Sequence, residues 1–183
     1  MIISFENVVR DYLALRGESP DLLPVLEEGE ESPVLTLATE LKAKLPAMAI
    51  EATKETPSLF LDEIRSVEAK FEMETPRIAR VRMPDDYLAF HSLRMADWKE
   101  PLRSPEPVEA LRWALGGNAP EWMICTERPM VKEERDAEGL WLKVYGSEAF
   151  DLPANILYVP IPEFDGETLV ISRAAYLRMI KAA

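Results

Sequence analysis

Residues Arg77 to Trp98, RIARVRMPDDYLAFHSLRMADW, place the tightest constraint on what this chain can fold into. A short basic stretch with strand character meets a proline and resumes as a second apolar stretch that ends on a tryptophan. Ile78, Val81 and Met83 suit a half-buried strand. Pro84 lacks the N–H for the next ladder bond, and Asp85 and Asp86 offer side-chain acceptors for a tight turn. The strand and turn residues are those of a scaffold.

The same texture continues beyond residue 70, in short strand-like runs separated by proline, glycine and charged turns, and it predicts antiparallel sheet. The predicted strands are Arg77–Met83, Leu88–Met95, Trp122–Thr126, Leu140–Tyr145 and Ile156–Pro160. Between two of them Lys132–Gly139, KEERDAEG, reads as an exposed hairpin loop whose glycine supplies a positive φ. A surface helix is expected over Pro105–Leu115, stopped by Gly116 and Gly117. Ser172 is placed to cap a final helix carrying Ala175, Tyr176, Met179 and Ile180.

The first third reads differently. Ser4 is an N-cap for a short amphipathic helix with Phe5, Val8, Val9 and Tyr12 on one face, ended by Gly17. Three prolines and the acids Glu27, Glu28, Glu30 and Glu31 make Glu18–Pro33 an exposed connector; its acids lack the alternating ligand spacing of a calcium loop. From Val34 to Ala52, the residues Leu35, Ala38, Leu41, Leu45, Met48, Ala49 and Ala52 form one helical stripe, and Pro46 within it predicts two helices meeting at Leu45 and Pro46. A short helical or irregular piece, Ser58–Val67, leads to the strands. The expected fold is therefore α+β: a helical N-terminal region over 1–67, then over 68–183 a small antiparallel sheet with flanking helices, packed as one unit.

At 183 residues, 48% apolar and 30% charged, the chain can bury a core. Its net charge of −12 opposes general condensation on phosphate, which is normally matched by Lys or Arg, so nucleic-acid binding, sequence-specific binding included, is not expected. Arg77, Arg80, Arg82 and Arg94 cluster locally and read as a solvated strand face. Cys125 is the only cysteine, which rules out an internal disulfide and fits a reducing compartment. The N-terminus has neither a charged leader nor an unbroken apolar core, and no run approaches the roughly 18 to 20 apolar residues of a membrane span, so a cytoplasmic protein without a membrane partner is expected.

Catalytic candidates are few. His91 and Cys125 are each unique and could form a base and a thiol nucleophile if brought within hydrogen-bond reach beside an orienting group. Cys125 lies in the apolar WMIC, a setting that suppresses thiolate, and one His with one Cys does not make a usual zinc set. HExxH, GxSxG and Walker patterns are absent, and Gly116, Gly117 and Asn118 form a turn without the lysine and strand of a phosphate cradle. Carboxylate pairs such as Asp85 with Asp86 or Asp62 with Glu63 could share a proton, but 33 acids offer many accidental pairs. Trp98, Trp113, Trp122 and Trp141 read as core or interface anchors. No catalytic residue, cofactor or metal is predicted.

The succession LPAMAIEATKETPSLFLDEI, RVRMPDDYLAFHSLRMADWKEP, EWMICTERPM, LWLKVYG and ILYVPIPEFDGETLVI resembles the head-to-tail connector, or tail-tubular, proteins of tailed bacteriophages and prophages across most of residues 40 to 180. The matching parts are Met83 to Tyr87 (the proline–aspartate turn), Leu88 to Trp98 (the apolar run), Arg128 with Pro129, Tyr158 to Pro160, and the acidic turn Asp165 to Glu167. Members of that family usually continue with another helical stretch after the closing segment, where this chain has Ala183. The resemblance implies an architectural role: subunits forming a ring beneath the portal, extending the DNA channel and offering a platform for the tail. It implies self-association, portal or tail proteins as partners and virion association, with Trp98, Trp113, Tyr158 and Phe164 as interface or core residues. An acidic surplus suits a conduit that must not grip the backbone it conducts. The alternatives are a small hydrolase using His91 with a carboxylate or Cys125, and a monomeric protein-binding adaptor.

Overall fold

The computed structural model describes residues 1–17, 33–103 and 129–182. The acidic connector from Glu18 up to Pro33, the helix expected over Pro105–Leu115 and the strand expected over Trp122–Thr126 lie outside the described residues. The order along the chain is β1 (Ile2–Ser4), α1 (Phe5–Leu15), α2 (Pro33–Glu55), a 3-10 turn (Ser58–Phe60), β2 (Arg65–Glu68), β3 (Glu72–Thr75), β4 (Ile78–Arg82), β5 (Tyr87–Leu93), β6 (Met130–Asp136), β7 (Gly139–Tyr145), β8 (Asn155–Pro160), β9 (Glu163–Phe164), β10 (Thr168–Val170) and α3 (Arg173–Ala182). Every strand pair among the described residues is antiparallel. The fold is α+β, with N-terminal helices, small antiparallel sheets and a C-terminal flanking helix.

Two compact units form: Met1–Glu63 together with Ile161–Ala183, and Ile64–Pro160. The chain passes from the first unit to the second between Glu63 and Ile64. The second crossing, after Pro160, has no counterpart in the sequence reading.

In the first unit, α1 begins where the Ser4 hydroxyl accepts from the Asn7 N–H at 3.3 Å, and it buries Val8, Val9, Tyr12 and Leu13. Helix α2 corrects the expected break, because it runs from Pro33 to Glu55 through Pro46. Pro46 is exposed and removes one backbone donor, while Leu41 and Leu45 before it and Ala49 and Ala52 after it keep a continuous buried stripe. Helix α3 starts at the predicted cap, with the Ser172 hydroxyl accepting from the Ala175 N–H at 3.2 Å, and packs on α1 and α2 through a face that includes Ala175, Tyr176, Met179 and Ile180. Across that packing the Tyr176 hydroxyl donates to Asp11 at 2.6 Å. The sheet of this unit, in the order β1-β10-β9, escaped prediction because its strands have only two or three residues, too few to show alternation.

The second unit holds a three-stranded sheet, β2-β8-β5, and a four-stranded sheet, β3-β4-β7-β6. They share one hydrophobic core: Val81, Val131, Leu142 and Val144 enter it from the larger sheet, and Phe90, Ile156 and Tyr158 from the smaller. The loop expected over Lys132–Gly139 is corrected to the outer part of β6, with only Ala137 and Glu138 between β6 and β7. At the edge of this sheet among the described residues, β6 carries KEERD without apolar alternation. The Asp136 carboxylate closes its turn, accepting from the N–H groups of Glu138 (2.7 Å) and Gly139 (3.2 Å), and Gly139 has the expected positive φ, +136°. No helix among the described residues is long and apolar enough to cross a membrane.

Candidate functional site

A polar cluster of the second unit is built on the turn that the sequence made conspicuous. Pro84 has no N–H of its own, but its carbonyl accepts from the Tyr87 N–H at 3.0 Å, closing the turn between β4 and β5. Asp86, inside that turn, receives the Arg65 guanidinium at 2.5 Å and the Tyr158 hydroxyl at 3.0 and 3.2 Å on its two oxygens. Arg65 and Tyr158 stand directly opposite each other on β2 and β8, so one carboxylate ties the turn to both strands.

Tyr87 extends the cluster to the other sheet. Its ring stacks on that of Tyr158, centroids 5.8 Å apart at 27°, and its hydroxyl donates to Glu133 of β6. Burial holds the Tyr87 hydroxyl far above its ordinary value, with the Glu133 carboxylate adding to the effect. The Tyr158 hydroxyl is raised by burial first and by Asp86 second. Both phenols are therefore neutral donors near pH 7, and the two carboxylates serve as their acceptors. The arrangement fixes strand positions.

The predicted residues are scattered. His91 is half-buried on β5, and its Nδ1 lies 3.1 Å from the hydroxyl of its neighbour Ser92; no carboxylate accompanies it among the described residues. Cys125 and Trp113 lie outside the described residues. Trp98 is buried in the core of the second unit, where its indole N–H donates to the Gly146 carbonyl at 3.0 Å. Tyr158 is buried in the same core. Phe164 is half-buried in the first unit, its ring centroid 6.1 Å from that of Phe5. The pair Asp85 and Asp86 is split, with Asp85 exposed while Asp86 binds Arg65 and Tyr158. Of the clustered arginines, Arg77 pairs with Glu148 at 2.7 Å, and Arg80 pairs with Glu72 at 2.9 Å while lying 4.2 Å above the Trp141 ring. No group of three or more potential metal ligands occurs among the described residues.

Arg65, Tyr87 and Glu133 were missed as members of the polar cluster. Tyr87 sits in the conspicuous PDDY, but Arg65 and Glu133 are ordinary charged residues 21 and 47 positions from Asp86, and only strand pairing brings them near.

The first unit presents a different surface. Phe60 is 66% exposed and Leu177 is 50% exposed, and both line a groove of about 440 Å³ between the end of α2 and α3. Thr56, Pro57 and Ala174 complete its floor, and Arg178 and Lys181 are the charged residues lining it. No protein-family model and no curated protein matches this chain.

Proposed function

We propose that this chain is a non-enzymatic architectural subunit, a component of a phage-like head–tail connector that works by self-association. The observation that carries the reading is the open groove of the first unit, whose lining includes two large exposed apolar side chains, Phe60 and Leu177. Such exposure has a cost in a protein that acts alone and is relieved when a protein surface covers it. The resemblance of residues 40 to 180 to connector proteins supplies the biological setting. In the second unit, the Asp86 cluster supports the same reading: its carboxylates and phenols are engaged in holding strands together.

The test is the mass of the full chain in solution, followed by light scattering across a wide concentration range. The expected result is a population at an integral multiple of the chain mass that grows with concentration. A monomer at every concentration overturns the reading.

A further inference from the structure

We infer that Asp86 is a positioning residue for the first unit, although its side-chain partners, Arg65 and Tyr158, both lie in the second. It fastens the root of the second unit, the strand pair from which both chain connections leave, and in this way sets how readily the first unit closes. The coupling runs through chain connectivity alone.

The chain crosses between the units twice, at Glu63–Ile64 and at Pro160–Ile161. Within the second unit, the strands next to these crossings, β2 and β8, pair antiparallel with Arg65 opposite Tyr158. The two connections therefore leave from neighbouring ends of one strand pair. Strand β2 lies at the edge of its sheet among the described residues, and Arg65, Ser66 and Glu68 in it are exposed, so apolar burial does little to hold it. Asp86 supplies the fastening: it accepts from Arg65 on β2 at 2.5 Å and from Tyr158 on β8 at 3.0 Å, beside the crossings.

The first unit depends on that root. Its closing contacts each join Met1–Glu63 to Ile161–Ala183: Ile2 pairs with Val170, Tyr176 donates to Asp11, and Arg178 donates to Glu55. While β2 and β8 stay paired, a short link holds these two parts of the chain together. When β2 frays from β8, the link becomes a flexible loop of about ten residues, and the entropy lost on closing a loop grows with the logarithm of its length. Opening of the first unit is then favoured by roughly two- to tenfold.

The experiment is native-state hydrogen–deuterium exchange on the full chain, read by mass spectrometry of peptides covering β10 and α3. Wild type is compared with Asp86→Ala and Tyr158→Phe, which loosen the root, and with Val144→Ala, which removes two methyl groups from a fully buried residue of the same core on β7. Thermal melting verifies that each variant is folded; should Asp86→Ala fail to fold, Tyr158→Phe decides. Support is amide exchange in β10 and α3 that rises by about two- to tenfold in Asp86→Ala and by a smaller factor in Tyr158→Phe, while Val144→Ala leaves it at the wild-type rate. First-unit exchange that stays at the wild-type rate in the root variants overturns the inference. So does an equal rise in Val144→Ala, because the first unit then responds to the overall stability of the second and not to its root.

Discussion

The hydroxyl of Tyr158 meets both carboxylate oxygens of Asp86, at 3.0 and 3.2 Å, from a position on β8 directly opposite Arg65. Asp86→Ala leaves this largely buried phenol without its acceptor and is expected to destabilise the protein by about 1–3 kcal/mol, whereas Tyr158→Phe, which removes the donor and keeps the ring, is expected to cost only about 0.5–1.5 kcal/mol. Urea denaturation of both variants checks the order. The exposed Arg65–Asp86 pair contributes little by itself, so Arg65→Ala should have the smallest effect of the three.

Alkaline pH should weaken the fold. Tyr87 and Tyr176 are held above the ordinary tyrosine value of 10.0, each by burial first and by its carboxylate partner second. Above pH 10 the unfolded chain loses these protons while the folded chain retains them, so stability is fully present below that pH and falls as pH rises. Melting temperatures between pH 8 and about 11 are expected to drop, and the drop should be shallower in Tyr87→Phe and Tyr176→Phe.

Pro46→Ala should stabilise the protein. It restores a donor inside a helix that runs unbroken from Pro33 to Glu55, at an exposed position where the new residue meets no packing constraint. The gain has an upper bound of about 3 kcal/mol, reduced by the greater freedom of alanine in the unfolded chain. A lower melting temperature in the variant would contradict the continuous helix.

Gly139→Ala tests the hairpin between β6 and β7. A methyl group there meets only the Arg82 side chain, at 3.7 Å, so space is available, but φ of +136° strains any residue with a Cβ. The expected loss is roughly 1–3 kcal/mol, read by chemical denaturation. A neutral result would show that the turn relaxes to another conformation.

The parts of the fold that were legible in the sequence have strong local signals. Ser4 and Ser172 cap helices because each hydroxyl accepts from a first-turn N–H that has no partner within the helix. Ile78, Val81 and Met83 are buried, as their strand character indicated. Elements without such signals were missed: β2 and β3 read RSVE and EMET, largely exposed strands whose pairing depends on distant partners. Pro46 signals a break through one lost backbone bond, but the buried stripe continues on both sides of it and the helix runs through. At the candidate site, the PDDY turn was visible but its partners were not, since Arg65, Tyr158 and Glu133 converge only after two sheets have formed. The groove of the first unit joins Phe60 to Leu177 across more than a hundred residues, a distance over which local periodicity carries no information.

Because the first unit draws on both Met1–Glu63 and Ile161–Ala183, the stretch Ile64–Pro160 leaves the ribosome whole before α3 has been made. During translation α1 and α2 must therefore wait, with apolar faces uncovered, while the two-sheet unit is already able to fold. Ile161–Ala183 complete the first unit, which makes chaperone capture of nascent chains most acute while the segment around α1 and α2 lacks its closing helix.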